Sequence, residues 1–424
     1  GLVWPGETVF PDFSLKHTRR WWANWTKKFA EHGFHGAWID MNDPSTGSVL
    51  NADMLFGKGK LPHDTYHNQY ALGMAIATRE GFAAAHPEER PFVLSRSAST
   101  GMAKYSALWT GDNMSSYHYL RNCIAVSINL ALSGIPFNGP DIGGFAGDTS
   151  PKLISDWMKT CFLFPFCRNH SMIGSRRQEP WAFDAPTMGL LKHFIQMRYA
   201  LRPYLYNLFI QQESDGEALL RPLFYDFADT DEMPLSRIDD AFLIGPAILQ
   251  APILTEHERS REVPLPGPGA WFSVLDGRWV AGGQKVQAAP GDLQTPIYLR
   301  EGHLVPSLPE LPSDNTFDGR QVAFHVLLKR DSATPAVYTY SFDDGVSFAY
   351  QKGKRSTLLV TAGAQDNALH ISTQYASKGY GAAKPSFVLY DAFEHVLLNG
   401  KSVTPRKERR LFAGSEFDVY VVEA

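Results

Sequence analysis

The sequence predicts an α/β protein with an all-β C-terminal region, and three observations carry that class. Up to residue 236, short apolar runs alternate with helical periods, and each run is nearly continuous in apolar residues. That is the pattern of parallel strands covered on both faces by helices. Beyond it the long helical periods vanish, while proline, glycine and alternating strands take over. Finally, several early strands end in a charged residue followed by turn chemistry, as strands do at the mouth of a β/α barrel where catalytic groups gather.

Taken in order, Thr18 can cap a helix whose apolar face is Trp21, Trp22, Trp25 and Phe29, with Gly33 closing it. Ala37 to Ile39 make a buried strand with Asp40 at its end, and Pro44 forces a turn. Residues 64–86 form a second helix, carrying Tyr66, Tyr70, Leu72, Ile76 and Phe82 and ended by Pro87. The run from Pro91 to Arg96 is a strand ending in a cation, and the run from Ser106 to Asp112 is the next strand. A helix over 115–133 stops before Gly134, after which Ile135 to Asp141 brings a strand to another carboxylate. Ser150 and Pro151 start a helix burying Leu153, Ile154, Trp157, Met158 and Cys161. Arg168-Asn169-His170 reads as loop, 187–212 as helix, and Leu219 to Tyr225 as a last strand. These make five strand–helix steps, where a closed barrel needs eight.

The all-β region divides in two. Short strands fall at Phe242 to Ile244, Glu262 to Pro264, Pro296 to Leu299 and Gly302 to Val305, before a proline-rich link from Leu308 to Ser313. Further on, Asp343-Asp344-Gly345 should turn Val337 to Phe342 onto Val346 to Tyr350, and Asn399-Gly400 should make another hairpin. The expected domains are 1–236, a partial (β/α)8 barrel; 237–312, a proximal β domain; and 313–424, a distal one.

The 424 residues are ample for such a core. A formal charge of −4, with no run of Lys or Arg, argues against a nucleic-acid binder. No stretch approaches the ~20 apolar residues of a membrane-spanning helix. Three cysteines, Cys123, Cys161 and Cys167, are too few and too odd in number for a disulfide framework, and read as small core residues. Sequons at Asn24, Asn113 and Asn169 read as coincidence. Eight of the ten tryptophans precede residue 185, in the barrel part.

Two carboxylates at the ends of different strands are what glycosidic cleavage needs, one to attack or stabilise and one to deliver a proton. Here the wording around them adds to the spacing. Trp38-Ile39-Asp40-Met41-Asn42-Asp43-Pro44-Ser45 resembles the nucleophile signature of glycoside hydrolase family 31, the α-glucosidases and their relatives. Trp109-Thr110-Gly111-Asp112-Asn113 resembles that family's acid/base signature, and the order is right. The resemblance implies a barrel followed by proximal and distal β domains, with this chain supplying about strands 4–8. It makes Asp40 the nucleophile and Asp112 the acid/base. Arg96, Asp141 and His170 become ligands of the terminal sugar, and Trp38, Met41, Trp109 and Phe145 apolar walls of its pocket. No cofactor or metal is implied. Two departures stand out: Asp43 occupies a position where the family usually has Glu, and the segment from Ser97 to Tyr105 differs near the expected aglycone site.

The function so implied is a retaining, exo-acting α-glucosidase working on an oligosaccharide or α-glucoside. The same machinery would serve an α-transglucosylase, and a catalytically silent carbohydrate-binding subunit is the reading from another class. A metal hydrolase built on Asp40, Asp43, Asp141 and His170 lacks supporting His-x-x-x-His or Cys-x-x-Cys spacing. Neither a nucleic acid nor a membrane is an expected partner. The resemblance also implies an N-terminal segment of the same polypeptide that completes the barrel, so residues 1–424 by themselves are expected to be inactive.

Overall fold

The structure is a computed structural model, and it describes residues 1–4, 6–47, 53–311 and 317–423. Helix α1 (Lys16–Ala30) leads into strand β1 (Gly36–Ile39), helix α2 (His63–Ala85), strand β2 (Phe92–Ser95) and strand β3 (Ala107–Trp109). Helix α3 (Tyr117–Leu132), strands β4 (Asn138–Gly139) and β5 (Asp141–Ile142) and helix α4 (Pro151–Cys161) follow. Strand β6 (Arg168–Asn169) and helices α5 (Ala185–Ala200) and α6 (Arg202–Asp215) complete the α/β part. Strands β1 to β4 form one parallel sheet in chain order, and β5 pairs with β6, also parallel. Parallel neighbours need crossover connections, and helices α2, α3 and α4 run between them in that role.

Local chemistry explains most of these boundaries. Ser116, Ser150 and Asp184 cap α3, α4 and α5 through side-chain oxygens that accept backbone N–H bonds, and Pro151 occupies the first turn of α4. The predicted inner face of α4 is buried throughout. Gly33 closes α1 at φ +95° as expected, but the rest of that helix corrects the sequence reading. Its start is at Lys16 without a side-chain cap, and Trp21, Trp25 and Phe29 are exposed. The adjoining strip, Trp22, Thr26 and Ala30, faces α2. There Gly81 lets the backbones approach so closely that a Cβ would lie 2.6 Å from the Ala23 carbonyl oxygen and from Thr26. Trp22 seals that contact by donating its indole N–H to Thr78 (2.9 Å).

Two strand assignments also change. Arg168–Asn169 is a strand and not a loop, pairing Arg168 with Asp141. Leu220–Pro222, strand β7, leaves the parallel array and pairs antiparallel with Phe242–Ile244, while Leu223–Asp226 turns into a short helix. An apolar run announces a strand but not its partner, and here the partner lies about twenty residues further along the chain.

The β region begins with a six-stranded sheet in which β7 is followed by Phe242–Ile244, Ile248–Gln250, Ile297–Arg300, Ala270–Ser273 and Arg278–Ala281. Two five-stranded sheets come next. One contains His303–Ser307, Gln321–Leu327, Lys384–Leu389, Ser415–Glu423 and Arg406–Phe412; the other Ala336–Phe342, Ser356–Gln365, Ala368–Lys378, His395–Leu398 and Lys401–Val403. The Asn399-Gly400 hairpin is present, with both residues at positive φ. Asp343-Asp344-Gly345 makes no hairpin: Phe348–Lys352 is a 3-10 helix and Ala336–Phe342 pairs instead with Ser356–Gln365. The expected boundary at 312–313 lies outside the described residues, and the pairing of His303–Ser307 with Gln321–Leu327 crosses it. A single buried cluster runs from Leu120 on α3 through α4, α5 and α6 to Val422, so the β sheets pack directly on the helices. Among the described residues no helix is long and apolar enough to cross a membrane.

Candidate active site

The register of the parallel sheet sets the site. Ile39 pairs with Ser95, Ser95 with Leu108, and Leu108 with Asn138, so the strands end level and the residues after them share one rim. Asp40, Arg96, Asp112, Asp141 and His170 are those residues, or lie within three positions of them. Met41 takes φ +56°, a conformation rare for a residue with a Cβ, and turns the chain sharply after Asp40.

The loop after β1 is locked to the end of β2 by a closed circuit. Asn42 donates to Ser95 Oγ (2.8 Å) and accepts from the Ser97 backbone N–H (3.1 Å). Asp43 accepts from Arg96 Nη2 (2.7 Å) and from the Ser97 hydroxyl. Arg96 thereby bridges two carboxylates, with its Nη1 3.3 Å from Asp40 Oδ1. Burial alone would raise the Asp43 carboxyl, but its bonds to Arg96 and Ser97 outweigh this and hold it below the usual range. Asp43, the departure noted in the sequence, thus sits where it orients Arg96 against Asp40. The other departure divides: Ser97 joins this circuit, while Met102 is wholly buried against Ile39, Ala71, Ala75 and Val93.

On the far side of the rim, Asp141 is fully buried and Arg168 donates to its Oδ1 through Nε (2.9 Å) and Nη2 (2.6 Å). Its Oδ2 is buried with no partner, a free acceptor. Burial pushes Asp141 up to about 7 against the pull of Arg168, and the charges of Asp112 and Asp40 add to the rise. His170 is lowered, first by burial and then by Arg168, with Asp112 and Asp40 opposing. Asp40 and Asp112 follow β1 and β3, the two strands that flank β2, so both lie on the rim that carries Arg96.

Of the predicted walls, Trp38 is half-exposed and meets His170 edge-on at 5.4 Å, and Phe145 stacks on His170 at 5.4 Å. Met41 lies on the rim beside Asp40. Trp109 is a correction: at 1% exposure it lies beneath the wall, backing Trp38 and the Arg168 guanidinium. Two residues escape the sequence reading. Arg168 falls in the segment expected to be loop, although its alternation with His170 on a strand would put both on one face. Asn113 enters the sequence reading as a sequon and as the last residue of the Asp112 signature, with no role of its own. Its buried side chain donates to the Asp141 carbonyl (2.9 Å) and accepts from the Phe145 N–H (2.8 Å), tying the Asp112 loop to the Asp141 loop. Among the described residues, no three His, Cys, Asp or Glu side chains are placed to hold a metal ion.

Known proteins share this architecture. Residues 1–208 match the glycosyl hydrolases family 31 TIM-barrel domain, and residues 216–305 the family 31 C-terminal domain. The chain is 34% identical over 401 residues to alpha-glucosidase 2 of Bacillus thermoamyloliquefaciens, covering 93% of this chain and 50% of the relative. It is 35% identical over 337 residues to an alpha-glucosidase of Saccharolobus solfataricus, covering 72% and 48%. Among solved structures, a glucosidase II alpha subunit bound to Glc1Man2 superposes with a TM-score of 0.84 at 25% identity, over 99% of this chain and 48% of that one. The chain thus spans about half the length of the relatives it matches.

Proposed function

This chain belongs to glycosyl hydrolase family 31, and from that premise we propose that the protein is a retaining, exo-acting α-glucosidase releasing terminal α-linked glucose. One observation carries the reading: Asp40 and Asp112 follow the level ends of β1 and β3, the two strands that flank β2, and so share the rim that carries Arg96.

In this reading Asp40 attacks the anomeric carbon as the glycosidic bond breaks, and Asp112 gives its proton to the departing oxygen. Water then enters on the vacated side, Asp112 takes a proton from it, and its oxygen bonds to the anomeric carbon as the bond to Asp40 breaks, releasing the sugar with its configuration kept. Retention requires the two carboxyl groups to stand about 5–5.5 Å apart, too close for an interposed water. Arg96, pinned by Asp43, keeps a cation beside the attacking carboxylate of Asp40. Asp141 Oδ2 and the His170 ring are the acceptor and donor for sugar hydroxyls, while Trp38 and Phe145 shield the cationic transition state from water.

The test is turnover of aryl α-glucosides by the full-length protein. Asp40→Asn should lower it on the order of 10⁴-fold with the fold intact, and proton NMR of the unaltered enzyme should show the α anomer of glucose first. Undiminished turnover in Asp40→Asn, or the β anomer first, would sink the assignment.

A further inference from the structure

Three apolar side chains stand in solvent on the loops that follow β3 and β6. Met114, two residues past Asp112, is 50% exposed; Met172, two past His170, is 43% exposed; Ile173 is 97% exposed. None belongs to a hydrophobic core cluster of the described residues. A single exposed apolar residue needs no explanation, but the loops that carry these three are both tied to one segment, Phe145 and Ala146. Met114 forms a parallel bridge with Ala146, and the Ser115 N–H donates to the Ala146 carbonyl (2.8 Å). The Met172 N–H donates to the Phe145 carbonyl (2.9 Å), and the Phe145 ring lies on His170. Backbone bonds thus hold three loops together on this rim, one carrying Met114 beside Asp112 and another carrying Met172 and Ile173 beside His170.

We propose that Met114, Met172 and Ile173 form the leaving-group subsite and favour apolar aglycones. The inference rests on the α-glucosidase reading and adds which side chains meet the departing group. On that reading Asp112 protonates the leaving oxygen, so side chains joined to the Asp112 loop face the group beyond that oxygen. These three side chains carry two thioethers and a branched alkyl, and no strong hydrogen-bonding group. Recognition here works by removing apolar surface from water and by dispersion contact, so it grows with the apolar area of the aglycone. The thioethers, flexible and polarisable, tolerate many shapes.

A series of n-alkyl α-glucosides from methyl to octyl tests this in the full-length protein. The leaving alcohols are closely similar in acidity, so the bond-breaking chemistry stays constant while apolar area rises. We expect kcat/KM to climb with chain length, by up to about fourfold for each methylene fully covered. Met172→Ser and Ile173→Ser should flatten the climb. The slope is the readout, because a general loss of folded enzyme lowers every substrate alike and leaves the slope in place. A flat series in the unaltered protein, or an unchanged slope in both variants, would overturn the subsite and assign the rim to another occupant, such as a segment of the protein itself. Failure to turn over any α-glucoside is a different result: it removes the functional reading, and the subsite with it.

Discussion

Asp141 is the most confined carboxylate of the site, and its behaviour depends on Arg168. The guanidinium spends two donors on Oδ1 and leaves Oδ2 free, so the residue presents one ionised oxygen to a hydroxyl. Because Asp141 is pushed up to about 7 with Arg168 opposing the rise, removing Arg168 must move its titration further up. On the proposed reading the ionised form binds sugar, so kcat/KM rises with pH through that titration. Arg168→Met should therefore carry the acidic limb of the kcat/KM profile to higher pH. On that limb, activity should fall about tenfold for each pH unit the limb has moved. A profile lowered evenly at all pH values would contradict this. The residues legible in the sequence are those that follow a strand directly or close a known wording: Asp40, Arg96, Asp112, Asp141 and His170. Arg168, Asn113 and the Asn42–Ser95–Ser97 circuit are not, because their roles lie in partners 27 to 55 residues away.

At the level of elements, the hairpin that does not form is the instructive case. Asp343-Asp344-Gly345 has the composition of a two-strand turn, yet both aspartates are committed elsewhere. Asp343, 1% exposed, accepts from Arg90 Nη2 (3.0 Å), the Tyr206 hydroxyl (2.5 Å), Arg355 Nε (2.9 Å) and the Gly345 N–H (2.9 Å). Asp344 accepts from the backbone of Val346 and Ser347, which starts the 3-10 helix. The turn is thus a clamp. It joins the loop before β2 and helix α6 to the sheet that contains Ala336–Phe342 and Ser356–Gln365, and the Arg90 N–H also donates to the Val346 carbonyl (2.8 Å). Asp343→Ala would leave Arg90, Arg355 and the Tyr206 hydroxyl facing a void. We expect a loss of about 3 kcal/mol, typical of removing one partner of a buried pair, measured by denaturant unfolding of the full-length protein. A loss under ~1 kcal/mol would mean that solvent replaces the carboxylate. The same logic explains α1: its period is readable, but the choice between two aromatic-bearing faces is made by Gly81 on another helix.

Seen whole, the molecule has a continuous core joining helices α3 to α6 to the β sheets, and an opposite side that is open. Among the described residues β1 pairs only with β2, and β6 only with β5. Helix α1, which leads into β1, presents Trp21 and Trp25 at 50% and 57% exposure. An unpaired parallel edge and bare indoles are surfaces that proteins normally cover. With the chain spanning half the length of its relatives, we propose that the remainder of the protein covers them and completes the pocket walls. The fold class is legible because buried parallel strands and helical periods are local signals; strand partners and sheet membership, set by distant residues, are not.

The proposed chemistry depends on Asp40 forming a bond to carbon while Asp112 serves the departing oxygen of the same sugar. Its most direct test is mass spectrometry of the full-length protein after reaction with a 5-fluoro-α-glucosyl fluoride, whose glycosyl-enzyme breaks down slowly. We predict one fluoroglucosyl adduct, mapped to the peptide containing Asp40, absent in Asp40→Asn and still formed in Asp112→Ala because fluoride leaves without a proton. An adduct on any other residue, or none in the active enzyme, would contradict it.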